Sequence, residues 1–161
     1  MPTPKLLILL AIGIIAISNA TADVTEPYQT HAVMKVATIA KMYEQDISNQ
    51  GMDNPVVLQQ YANLDLQAAM KLEQEYFDRE QMSCHIGYDV LWDSQDPDYE
   101  QEKEFSITEQ GLVKVSLAQG SNVYYDLSCD GMNKEIKCQV ADVIMDEDGA
   151  SLRKYLLETC R

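Results

Sequence analysis

The chain has 161 residues, with 26 acidic and 12 basic side chains and a formal net charge of −14 at pH 7. This balance argues against partners that need cations, namely nucleic acids and anionic membrane surfaces. It suits a basic or neutral protein partner, attracted by electrostatic steering, although acidity that serves only solubility stays open.

The first 22 residues have the pattern of a secretory signal peptide. Lys5 supplies a positive charge, Leu6 to Ile17 is an apolar run, and Ala20 and Ala22 each end a small-x-small motif. Because the run is shorter than the roughly 20 residues that span a bilayer, we expect cleavage after Ala20 or Ala22 rather than a retained N-terminal anchor. Residues 23–161 are then expected to form one periplasmic domain with a single core.

Two segments with helical periodicity follow. Apolar residues recur at intervals of three and four over residues 23–50, ahead of Gly51, and again over residues 55–79. These patterns predict two consecutive helices, the second running from Pro55 to about Arg79.

The rest of the chain alternates with period two, which is typical of strands. The runs cover residues 87–92, 103–109, 112–118, 122–128 and 136–145. A closing helix is expected from about Ala150, capped by Ser151 or Asp148. The expected fold is therefore α+β, with two N-terminal helices, a curved antiparallel sheet of four to five strands and a short C-terminal helix.

The chain has four cysteines, and an even number of cysteines in an exported protein is typical of complete pairing. The sequence therefore predicts two disulfides. Cys129 and Cys138 flank a turn-like stretch and are paired with each other, which leaves Cys84 for Cys160. A zinc site is the alternative, but the spacing does not suit one.

The segment after the first alternating run is rich in carboxylates, and Lys103 is the only cation among them. A solvated loop, a partner-binding loop and a metal site are the three alternatives, and the last lacks the glycine and distant glutamate of an EF-hand. As a partner-binding loop, it would use aromatic anchors among acids. The predicted contact residues are Trp92, Asp93, Asp96, Asp98, Tyr99 and Glu100.

No nucleophile, phosphate-loop or dinucleotide motif is present, so we expect neither an enzyme nor a bound cofactor or metal. A pair of buried carboxylates acting as acid and base stays open, because sequence does not show burial.

Three stretches resemble a family of small exported bacterial proteins of unknown function with an NTF2-like (cystatin-like) fold. They are Asp89-Val90-Leu91-Trp92-Asp93-Ser94-Gln95-Asp96, Cys138-Gln139-Val140-Ala141-Asp142-Val143 and Gly149-Ala150-Ser151-Leu152-Arg153-Lys154-Tyr155-Leu156. The family's tryptophan ahead of the last strand is absent, and Glu135-Ile136-Lys137-Cys138 stands in its place.

The resemblance implies a curved sheet wrapped around a helix, forming a cone with a pocket. It also implies one of several functions, since a fold hosts many. Small exported proteins of this kind include immunity proteins, which inhibit peptidoglycan amidases delivered by neighbouring bacteria through type VI secretion. The first expectation is such a non-enzymatic periplasmic inhibitor. A carrier that holds a small ligand in the cone is the alternative, and a homodimer stays open.

Overall fold

The computed structural model describes residues 26–84, 87–131, 136–145 and 149–161. The predicted signal peptide (residues 1–22) and Asp148, one of the two predicted caps, lie outside these ranges. Among the described helices, none combines the length and the apolar composition that crossing a membrane requires.

Four helices and four strands make up the described part of the chain, which confirms the α+β class. In chain order they are α1 (Glu26–Asn49), α2 (Val57–Tyr61), α3 (Leu64–Glu80), β1 (Lys103–Ile107), β2 (Val113–Leu117), β3 (Asn122–Asp130), β4 (Lys137–Ile144) and α4 (Leu152–Thr159).

The strands form one open antiparallel sheet in the order β1-β2-β3-β4. Strand β2 shows the expected alternation, with Val113, Val115 and Leu117 buried and the residues between them partly exposed. The buried face packs against α1, which contacts all four strands. A register shift between Asp126 and Leu127 interrupts the β3–β4 ladder, and such irregularities bend a strand.

The predicted strand over residues 87–92 is wrong. This stretch is a tight turn, in which Asp89 and Ser94 form an isolated bridge and the Asp89 carboxylate accepts the N–H of Leu91 at 2.9 Å. Aspartate side chains compete with a sheet ladder in this way. Asp93 follows with a φ of 47°, a left-handed conformation that ends any extended run.

The second predicted helix, from Pro55 to Arg79, is divided into α2 and α3. Between them, Ala62 bridges Val140 in β4, and the N–H of Asn63 donates to the Val140 carbonyl at 2.8 Å. The Asn63 side chain then caps α3 by accepting the N–H of Leu66 at 3.0 Å. Pairing with the sheet edge therefore interrupts a helical pattern that is continuous in the sequence.

Helix α1 ends next to the acidic segment. Gly51 has a φ of +68°, and its N–H donates to the Asp46 carbonyl at 3.1 Å, which closes the last turn. A Cβ at this position would overlap the hydroxyl of Tyr99. Glycine is thus needed both for the backbone conformation and for the close approach of Tyr99.

The predicted closing helix is confirmed as α4, and Ser151 caps it by accepting the N–H of Lys154 at 3.0 Å. The buried carboxylate of Asp142 in β4 accepts the N–H of Arg153 at 3.0 Å and the hydroxyl proton of Ser151. Leu152 and Leu156 face the core. The helix is therefore attached to the sheet by both apolar contacts and hydrogen bonds.

Both predicted disulfides are present. Cys129 and Cys138 face each other across β3 and β4, nine residues apart in sequence. Cys84 and Cys160 are separated by 76 residues and connect the end of α3 with the end of α4. Disulfides are typical of proteins that fold in an oxidising compartment.

Removing the long-range disulfide is expected to destabilise the protein more than removing the short one. In the chain-entropy description, closing the loop of 76 residues contributes about 4 to 5 kcal/mol and closing the loop of nine about 2.5 kcal/mol. Urea unfolding of the Cys84→Ser/Cys160→Ser and Cys129→Ser/Cys138→Ser variants measures both losses. A larger loss in the Cys129–Cys138 variant would contradict this ordering.

Candidate functional site

A buried tryptophan–aspartate pair connects α1 with the turn before the acidic segment. The indole Nε1–H of Trp92 donates to the Asp46 carboxylate at 2.6 Å, and the residues are 0% and 3% exposed. Trp92 was predicted to contact a partner, but its fully buried ring presents no surface for such a contact in this structure. The Trp92 ring is part of the hydrophobic core and packs among its other buried side chains.

Three tyrosines complete an aromatic platform around Trp92, which we define as Tyr43, Trp92, Tyr99 and Tyr125. Tyr43 and Tyr99 meet the Trp92 ring edge to face, at centroid distances of 5.2 and 5.4 Å. The Tyr43 hydroxyl donates to the Leu91 carbonyl at 2.5 Å and lies 2.9 Å from the Tyr125 hydroxyl. Burial raises the pKa of both Tyr43 and Tyr125, so both phenols stay protonated.

The acidic segment, residues 93–104, follows directly from this platform. Asp93, Asp96, Asp98 and Glu100 are exposed, while Tyr99 is partly buried by its contact with Trp92. The Gln119 amide, from the β2–β3 turn, donates to the Trp92 carbonyl at 2.9 Å. The four predicted acids therefore lie on one exposed loop, and contacts of Tyr99 and Gln119 with Trp92 attach this loop to the core.

The cation of the segment does not neutralise these acids. The Lys103 ammonium lies 5.3 Å from the centre of the Trp92 ring and donates to the Gln101 carbonyl at 3.3 Å. Within the described ranges, none of the carboxylates of residues 93–104 has an ion-pair partner. Their negative charge therefore remains available to a partner.

A cavity of about 200 Å³ lies beside the turn, under the C-terminal end of α1. It is lined by Asp46, Gly51, Val56, Val57, Leu58, Met70, Glu73, Tyr88, Asp89, Val90, Leu91, Leu152 and Leu156. All of these residues come from helices and turns. The inner face of the sheet, where the resemblance places a pocket, is instead filled by the buried side chains that pack against α1.

Three carboxyl groups face this cavity, and none of them was predicted as a site residue. Burial raises the pKa of Asp46, Asp89 and Glu73, and the negative charge of Asp46 also raises that of Asp89. Hydrogen bonds oppose this rise, from the Trp92 indole to Asp46 and from the Leu91 N–H to Asp89. The cavity thus combines apolar walls with acids that are costly to ionise.

The position of Asp46 on α1 was a signal that sequence reasoning could have used. It lies three and four residues after the buried Tyr43 and Met42, and seven after the buried Ile39. A carboxylate at this spacing occupies the apolar face of an amphipathic helix. Asp89 carried no such signal, because its burial depends on the turn and not on a periodic element.

A scan against protein-family models, a search of curated proteins and a search of solved structures each found no match for this chain. The NTF2-like resemblance therefore stays a prediction.

Replacing Trp92 with phenylalanine is expected to destabilise the protein by about 3 kcal/mol, because a buried carboxylate then loses its donor. Urea unfolding followed by circular dichroism measures the loss. The double variant Trp92→Phe/Asp46→Asn is expected to lose less than the sum of the two single variants, by about 1 kcal/mol or more. Strictly additive losses would show that the hydrogen bond contributes little.

As the pH rises, the free energy of unfolding of the Asp89→Asn variant is expected to fall less steeply than that of the wild-type protein. Because the pKa of Asp89 is raised above its usual 3.8, the folded state holds this proton more tightly than the unfolded state. The associated stability is fully present below the usual value and is lost as the pH rises through the folded pKa. Asparagine removes this contribution and still accepts the Leu91 N–H.

Free energies of unfolding in urea between about pH 4 and pH 7 provide the measurement. The matched control is Asp96→Asn, which changes an exposed aspartate seven residues further along the chain. An equal change of slope in both variants would contradict a specific role for the partly buried Asp89.

Proposed function

We propose that this chain is a periplasmic, non-enzymatic binding protein that inhibits a peptidoglycan amidase delivered through type VI secretion. The observation that carries the proposal is the uncompensated charge of the acidic segment. Four exposed carboxylates project from one loop, and the neighbouring Lys103 is directed onto Trp92 instead of pairing with them. A basic surface on the partner would be attracted to this charge and would complement it.

The base of the segment supports the same proposal. Tyr99 packs on Trp92, and Gln119 donates to the Trp92 carbonyl, so the loop is attached to the core at several points. Preorganisation of this kind lowers the entropy that a loop loses on binding. The sequence analysis predicted both Trp92 and Tyr99 as aromatic contact residues. In this proposal Tyr99 alone is the aromatic anchor, because it is partly exposed.

The two disulfides are also consistent with an inhibitor that works outside the cytoplasm. The specific partner, a cell-wall amidase, comes from the family resemblance and not from the geometry. A ligand carrier that uses the cone has less support, because the inner face of the sheet is occupied by the protein's own core.

Neutralising the acidic segment is expected to weaken binding to a type VI amidase effector of the same bacterium by about 10- to 100-fold, mainly through slower association. Isothermal titration and stopped-flow association measure affinity and rate. The variant is Asp93→Asn/Asp96→Asn/Asp98→Asn/Glu100→Gln. Asparagine and glutamine keep the size of each side chain, and asparagine tolerates the left-handed backbone at Asp93.

A control variant with the same change in net charge separates local contacts from the overall field. It replaces four exposed acids on the helices, Glu44→Gln/Asp65→Asn/Glu75→Gln/Glu158→Gln. The proposal requires that this control keep most of the wild-type affinity at 150 mM salt, where charges beyond about 8 Å are screened. Absence of binding by the wild-type protein, with no protection of cells from the amidase, would refute the proposed function.

A further inference from the structure

The two edges of the sheet differ in how they are covered. At the β4 edge, Ala62 bridges Val140, whose carbonyl accepts the N–H of Asn63 at 2.8 Å. Further along the same strand, Ile144 bridges Ser151 ahead of α4. Strand β1 lies at the opposite edge and, among the described residues, pairs with β2 alone. The β1 edge is therefore the open one.

Alternate backbone groups of β1 face this open edge. The Glu102 carbonyl accepts the N–H of Ala118 at 2.9 Å, and the N–H of Thr108 donates to the Leu112 carbonyl at 2.9 Å. Because hydrogen-bonded residues alternate along an antiparallel strand, the even-numbered residues of β1 bond to β2. The residues whose N–H and C=O groups point outward are Lys103, Phe105 and Ile107. Within the described ranges, no hydrogen bond reaches these outward groups.

A groove of about 520 Å³ lies between β1 and α1, next to this edge. Ala40 and Ile47 of α1 and Phe105 of β1 line it, and all three are partly buried. The Phe105 ring packs edge to face on Tyr43, at a centroid distance of 5.7 Å. Side chains of an added strand that lie on the α1 side of the sheet would enter this groove, and its apolar lining favours small apolar ones.

The charge of the edge limits the kind of strand that fits. Glu102 and Glu104 are both exposed and stand two positions apart, so they lie on the same face of the strand. Neither has an ion-pair partner among the described residues, and the same is true of Glu44, an exposed residue of α1 that lines the groove. Opposite charges that face each other across two strands stabilise their pairing. Basic residues at alternate positions of an added strand would therefore pair with Glu102 and Glu104.

A second copy of this chain fits the edge less well. It would bring another formal net charge of −14 and a second set of the same exposed glutamates. Lys103, the lysine of β1, lies over the Trp92 ring and leaves these charges without compensation. Charged residues on an edge strand discourage pairing between copies of one protein.

We infer that the β1 edge binds an extended peptide segment of another protein, in which lysine or arginine alternates with small apolar residues. The segment adds a fifth, antiparallel strand to the four of the sheet. Its apolar residues lie opposite Lys103 and Phe105, exchange backbone hydrogen bonds with them and enter the groove. Its basic residues lie opposite Glu102 and Glu104. This inference does not rest on the proposed inhibition of an amidase, because it uses none of the four carboxylates assigned to that contact.

Isothermal titration with three blocked peptides tests the inference at pH 7 and about 150 mM NaCl, where long-range attraction is screened. For acetyl-Thr-Lys-Val-Lys-Val-Lys-Thr-amide we expect a Kd tighter than about 1 mM. One control contains the same residues in the order Thr-Lys-Lys-Lys-Val-Val-Thr. The other is the first peptide with both valines N-methylated, which removes the donors that face β1 and keeps the charge. Each control should bind at least about 10-fold more weakly. Equal affinity for the N-methylated peptide, or no binding of the first peptide, would overturn the inference.

Protein variants separate the edge from the general acidity of the chain. Glu102→Gln/Glu104→Gln removes both cross-strand partners and should weaken binding of the first peptide about 3- to 10-fold. The matched control, Glu75→Gln/Glu158→Gln, makes the same change in net charge on α3 and α4 and should keep the affinity within about 2-fold. An equal loss in both variants would show attraction to the overall charge and would contradict strand addition.

Amide hydrogen exchange locates the bound peptide. In the free protein, the amide of Phe105 should exchange faster than those of Glu104 and Ser106, which are bonded to β2. A saturating concentration of the peptide should slow exchange at Phe105 at least about 10-fold. Unchanged exchange at Phe105 in the complex would place the peptide elsewhere. Slow exchange at Phe105 in the free protein, together with a dimer in analytical ultracentrifugation, would assign the edge to a second copy. Either result would refute the inference.

Discussion

The hydrogen bond between the Trp92 indole and the Asp46 carboxylate is the interaction on which the turn before the acidic segment and the base of that segment depend. It crosses 46 residues of sequence and is fully removed from solvent. Because the acceptor is a carboxylate in a low-dielectric environment, the bond is stronger than one between neutral groups. It fixes the turn at residues 88–94 to α1, and Tyr43, Tyr99 and Lys103 are then arranged around the held ring.

Asp46 also contributes to the cavity beside the turn. Its carboxylate accepts the indole proton, and Asp89 and Glu73 line the same cavity. Full burial of Asp46 and partial burial of Asp89 and Glu73 raise the pKa of each carboxyl group, which lowers the stability of the ionised protein. Perturbed acids in a concave site are a common mark of function, although structural networks also produce them. The two disulfides and the continuous hydrophobic core stabilise the fold and offset this loss of stability.

The acids of this chain therefore fall into two groups with different physical roles. Those of residues 93–104 are exposed to solvent and have no ion-pair partner among the described residues. Asp46 is buried and Asp89 is partly buried beside the cavity, where interactions between charges are stronger because water is largely excluded.

The α+β class, four of the strands, the closing helix with its Ser151 cap and both disulfides could be predicted from the amino-acid sequence. These features follow from periodicity, capping chemistry and cysteine count, which are encoded locally or by elimination. Three features became visible only in the folded chain: Trp92 is buried, residues 87–92 form a turn, and Asp46, Asp89 and Glu73 line one cavity. The turn is held by contacts between near neighbours, but its weak alternation of apolar residues resembles that of a strand. The burial of Trp92 and the shared cavity join segments that are distant in sequence and meet only when α1 packs on the turn and the sheet.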